Sequence, residues 1–136
     1  MALSTPAAAS DIVDEQSLID TYIHTLGRMF VLRQEHIDFN EGGYEWNVMF
    51  HREPGKVSWA NPNLDVAYGE AWVAVDENSC TLTHVPEITD RSYTVQFIDP
   101  WGEVVANLNE LRTPEHPQGT FAMCLEGADV EISAEA

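Results

Sequence analysis

Residues 35–51 read EHIDFNEGGYEWNVMFH, and the period of the chain changes inside them. Before Phe39, apolar residues recur at three- and four-residue spacing: Ile12, Ile19, Tyr22, Ile23, Leu26, Met29 and Phe30. That spacing predicts a helix over residues 11–37 with a continuous apolar stripe. Ser10 or Asp11 is placed to cap it, with Asp14 and Glu15 in the first turn, where acidic groups suit the helix dipole. Gly27 weakens the helix by about 1 kcal/mol relative to Ala, which marks a break or a close packing contact. After the turn cluster Asn40-Glu41-Gly42-Gly43 the pattern alternates. Tyr44, Trp46, Val48 and Phe50 fall on one face, and Glu45, Asn47, Met49 and His51 on the other. Period two predicts a half-buried strand.

Further short strands follow from the same reading. Residues 56–59, 68–75, 80–85, 91–98, the EVVANL run and the GTFAMCL run are bounded by turn chemistry such as Asp76-Glu77-Asn78-Ser79 and Asp99-Pro100-Trp101-Gly102. The connection at 76–79 reads as a tight hairpin joining the strands on either side. One helix followed by six or seven strands on short turns predicts an α+β fold. The helix stripe is expected to cover a mainly antiparallel sheet or sandwich. The boundaries are a tail at 1–10, one domain at 11–126 (helix 11–37, β-rich 44–125) and an acidic tail at 127–136.

At 136 residues the chain is the size of one domain, long enough for its own core. It carries 23 acidic residues against 6 basic ones, a formal net charge of -17, and its single lysine is Lys56. Nucleic acid and anionic membrane surfaces both need basic protein surface, so neither is expected as a partner. No apolar run approaches the roughly 20 residues of a membrane helix. The opening MALSTPAAAS has neither a basic n-region nor a sustained apolar stretch, so it does not read as a secretory signal, and a cytoplasmic location is expected. Cys80 and Cys124 lie inside strand-like runs and are expected as buried free thiols.

No common catalytic motif is present: GxGxxG, a Walker loop, GxSxG and HExxH are all missing. Among five histidines, His51 and His84 fall in strands and could meet across a sheet, with Asp65 or Asp99 as further ligands. Isolated strand histidines are more often hydrogen-bonded residues at the edge of a core, and no metal or other cofactor is expected. Trp46, Trp59, Trp72 and Trp101, with Tyr44, Tyr68 and Tyr93, either pack the core or line a ligand cleft. In the stretch NPNLDVAYGEAW, residues 61–72, Asn63 and Asp65 are expected to shape the turn by accepting backbone N–H groups, with Asn61 extended before Pro62. Arg91 is the expected partner of Asp65.

PNLDVAYGEAWVAV (62–75) and VPEITDRSYTVQFIDPWGEVVANL (85–108) resemble the bacterial family called domain of unknown function 1254. Pro62, Asn63, Asp65, Tyr68, Ala71 and Trp72 fit its first motif. Pro86, Arg91, Tyr93, Gln96, Asp99 and Trp101 fit its second. Val66 stands where the family has Thr, and Asp90 where it has Gly. Members usually continue into a second β-rich domain, so the resemblance implies a first domain alone or half of a split pair. It implies no activity. The motif residues Asn63, Asp65, Tyr68, Trp72, Arg91, Tyr93, Gln96, Asp99 and Trp101 are the expected ligand-binding set. The expected role is a small-ligand-binding or assembly module, working as a homo-oligomer or with a separate second-domain chain. One alternative is a hydrolase-like enzyme using Asp65, Arg91 and Asp99, with a metal and His51. Another is a purely structural oligomerising subunit.

Overall fold

The computed structural model describes residues 14–57 and 61–132. Asp14 caps helix α1 (Glu15–Ile37): its carboxylate accepts from the Ser17 N–H at 3.0 Å and from the Ser17 hydroxyl at 2.7 Å. The expected caps Ser10 and Asp11, and Ile12, lie outside the described residues. α1 widens into one π-helical turn, Asp38–Gly42, and stops at Gly43. Gly43 has φ 72°, a left-handed conformation that glycine adopts without a Cβ penalty.

Six short strands follow among the described residues: β1 (Phe50–Arg52), β2 (Tyr68–Glu70), β3 (Thr81–Val85), β4 (Val95–Ile98), β5 (Val104–Leu108) and β6 (Gly119–Met123). They pair as three separate antiparallel two-stranded ribbons, β1–β2, β3–β6 and β4–β5. The fold is α+β, as the patterning predicts.

Three strands are markedly shorter than expected, the run 91–98 being a strand only over Val95–Ile98. The alternating run 44–51 extends only at its end, because Asn47 takes φ 62°. Asn enters the left-handed region more readily than most residues, and here that turn is useful. The Asn47 N–H donates to the Trp72 carbonyl at 2.8 Å, and its side-chain oxygen accepts from the Ala74 N–H at 2.8 Å. The run 68–75 likewise forms a strand only at its start, Tyr68–Glu70, with an isolated bridge further on at Trp72. The expected strand at 56–59 falls partly on residues outside the described set.

The expected hairpin across 76–79 does not form. β3 instead pairs with β6, with Thr81 opposite Met123 and Val85 opposite Gly119. Asp76 closes its own turn by accepting from the Asn78 N–H at 2.8 Å and the Ser79 hydroxyl at 3.0 Å. The β3–β6 register sets Cys80 across from Cys124, with Cα atoms 4.5 Å apart, and the two form a disulfide. That corrects the expectation of free thiols.

Val85, Phe97 and Leu108 form the buried core, with Val73, Tyr93, Val95, Ala106, Phe121 and Met123 packed around it. This core holds β3–β6 against β4–β5. The helix contributes little to it: α1 buries none of its residues. Its close approach to the strand region is at Gly27, where an added Cβ would lie 3.0 Å from the Trp101 carbonyl oxygen. The His24 ring lies against Trp101, tilted by 43° with ring centroids 5.1 Å apart. Of the apolar stripe expected to cover the sheet, Ile19, Tyr22, Ile23, Met29 and Phe30 are exposed instead, and Leu26 is half-buried.

Candidate functional site

Where α1 ends, an aromatic and charged cluster gathers residues that sequence spacing does not link. Asp38 is buried, and its two oxygens accept from Gln34 Nε2 at 2.8 Å and from Trp72 Nε1 at 2.9 Å. Phe39 packs on Trp46 at 4.6 Å between ring centroids, and Trp46 meets Trp72 edge-on at 6.4 Å. A parallel bridge joins the backbones of the same two tryptophans.

Beside this lies a triad. The Tyr44 hydroxyl donates to Glu70 and accepts from the Arg52 guanidinium at 2.8 Å. Arg52 Nε also meets Glu70 Oε2 at 3.0 Å. The β1–β2 register places Arg52 opposite Tyr68 and Phe50 opposite Glu70, so Arg52 and Glu70 are diagonal neighbours. Tyr44 stacks on Phe50 at 4.4 Å, and the Arg52 guanidinium lies 5.1 Å from the Phe50 ring centre. Burial pushes the Tyr44 hydroxyl up to about 12, with the hydrogen bond to Glu70 adding to it. Burial works against the Arg52 charge, but its bonds to Glu70 and Tyr44 outweigh that and hold its pKa above the usual value. Every group in the triad has a partner within it. The arrangement ties the helix end to β1–β2 and presents no free nucleophile or base.

The motif residues occupy several separate places. Asn63 Oδ1 accepts the Asp65 N–H at 3.0 Å, as turn chemistry predicts, and the Asn63 N–H donates to the Tyr68 hydroxyl at 2.9 Å. Asn61 has φ 52° rather than the expected extended conformation; Asn takes a left-handed turn at small cost. Trp72 belongs to the cluster just described. Tyr93 donates to the Pro117 carbonyl beside the core. Gln96 bonds Asn107 across β4–β5 at 3.1 Å. Arg91 forks the carboxylate of its neighbour Asp90 at 2.8 and 3.0 Å, which corrects the expected pair with Asp65. An adjacent carboxylate needs no loop closure to be reached. His84 sits in β3 facing Thr120 of β6, while His51 lies in β1, so the two do not meet across a ribbon.

Asp99 and Trp101 do come together. Asp99 Oδ1 accepts from the Trp101 and Glu103 N–H groups at 2.8 and 2.9 Å, closing the β4–β5 turn. With His24, Gly27 and Glu103 they line an open groove of about 390 Å³ between helix and turn. Among the described residues, no three His, Cys, Asp or Glu side chains gather as a metal site, and no helix is long and apolar enough to cross a membrane.

No curated protein and no solved structure matches this chain. One family model does, over residues 46–134, described as Protein of unknown function (DUF1254). The match takes in β1 to β6, both motifs and every strand pairing above, and it spans well over half of the sequence: the chain belongs to the DUF1254 family.

Proposed function

We propose that this chain is an assembly module whose working form is a homo-oligomer. Its surface carries the reading. The chain exposes 11294 Å², against about 7,100 Å² for a compact monomer of 15.2 kDa. The 20 residues outside the described set can account for at most about 3,300 Å² of that. The remaining 116 residues still exceed a compact body of their size by roughly 1,700 Å². Excess of that size is about twice the roughly 800 Å² that each partner buries in a standard protein–protein interface.

The strands support the same reading. Among the described residues each belongs to a two-stranded ribbon and so has an open edge, a template for another chain. Light scattering on the purified chain at tens of micromolar is expected to give a multiple of 15.2 kDa. The monomer mass would overturn the proposal. A second polypeptide co-purifying in equal amount from the native source would favour a separate partner chain instead.

The disulfide supports an oxidising compartment in place of the expected cytoplasm, because such bridges persist where thiols are not kept reduced. Titrating free thiols in protein taken under denaturing conditions from its source tests this; none should react.

A second reading rests on the groove at the β4–β5 turn. Its volume is within the range of small-molecule sites, and Trp101 with Glu103 and Asp99 offers an aromatic face beside negative charge. A small organic cation is the fitting ligand class. Calorimetric titration with tetramethylammonium should give heat that Trp101→Ala abolishes.

A further inference from the structure

α1 turns the wrong side inward for a helix that serves only its own domain. Gly27 and His24, with Asp38 in the π-helical turn that follows, face the rest of the fold. The apolar stripe lies roughly a third of a turn away on a helix of 3.6 residues per turn. Along it Tyr22 is 59% exposed, Ile23 65%, Leu18 58%, Phe30 58% and Met29 53%.

The stripe is also self-complementary. Three pairs of residues equally far from His24 match in kind, Tyr22 with Leu26, Ile19 with Met29 and Leu18 with Phe30; Glu15 and Arg33 are complementary in charge, and Ile23 mirrors Thr25. Two helices running antiparallel bring such residues face to face, and a two-fold axis repeats each contact. We propose that two copies of this chain pair antiparallel through α1, centred on His24. The pairing rests on the homo-oligomer reading above and names its surface.

Charge and area agree with a second copy as the occupant. The chain carries -17 overall, but Glu15–Ile37 holds Glu15, Asp20 and Glu35 against Arg28 and Arg33, close to balance. Two such anions approach at lower cost along a nearly neutral surface than along an acidic one. Leu18, Ile19, Tyr22, Ile23, Met29 and Phe30 together expose roughly 700 Å² per copy, near the 800 Å² per partner of a standard interface. At each end of the stripe, Glu15 of one copy meets Arg33 of the other, which fixes direction and register.

The test uses the full chain and sedimentation equilibrium. Phe30→Asp is expected to give a monomer with unchanged circular dichroism, since Phe30 is more than half exposed and lies outside the buried core. Glu15→Arg alone and Arg33→Glu alone should each raise the dissociation constant about five- to tenfold. Mixed in equal amounts they should associate as well as the wild type, because each supplies the charge the other lacks. Dimer mass retained in Phe30→Asp overturns the α1 interface and leaves the assembly reading standing. A wild-type monomer overturns both. Absence of rescue on mixing overturns the antiparallel register.

Discussion

Asp65 stands exposed in its turn, where its backbone N–H, not its carboxylate, makes the contact that shapes the chain. Asp65→Asn should therefore leave stability within about 0.5 kcal/mol of wild type, read as an unchanged urea midpoint. Tyr44 is the opposite case. Its neutral hydroxyl is favoured in the fold, so the stability it contributes is complete below its ordinary value near pH 10 and is lost as pH rises toward 12. Denaturant midpoints should fall across that window, and Tyr44→Phe should flatten part of the fall while costing about 1–2 kcal/mol at neutral pH. Tyr93, also raised by burial and then by Glu110, keeps the remainder. The turn at Asn63 was legible in the sequence because Asx chemistry acts over two residues. The Tyr44–Arg52–Glu70 triad was not, because nothing in spacing shows which carboxylate a ribbon register brings diagonal to an arginine.

At the scale of elements, α1 and the β4–β5 ribbon could be read from the chain. Both are local: a three-to-four-residue stripe, and two runs joined by the turn Asp99-Pro100-Trp101-Gly102. The direction of the stripe could not, since periodicity gives a face and not what covers it. Gly27 is where that direction is fixed. Its missing Cβ lets the Trp101 carbonyl approach, so helix propensity and packing oppose each other there. Propensity alone gives Gly27→Ala a gain of about 1 kcal/mol. The contact is expected to cancel it, leaving the thermal midpoint level or lower. A rise of several degrees would show that the helix is free of the turn.

For the whole molecule, the β3–β6 pairing decides most, and it joins segments too distant for turn signals to reveal. The thiols went unpaired in sequence reading for that reason: Cys80 and Cys124 are 44 residues apart. Closing a loop of that length removes disorder from the unfolded chain worth about 4 kcal/mol. Reduction, or Cys80→Ser with Cys124→Ser, should lower the thermal midpoint on the order of 10 °C. With so small a buried core, the loss is a large part of the total stability.

The ribbons are nested, and nesting orders events in time. β4–β5 closes across residues 99–103, while β3–β6 must close across residues 86–118 with that hairpin inside. The inner turn is reached first, because short loops close fastest and cost least entropy. Once formed, it leaves only the two arms flanking it to be gathered. Substitutions that loosen the 99–103 turn should then slow refolding. Those on the β3–β6 face should leave the refolding rate nearly unchanged and hasten unfolding instead.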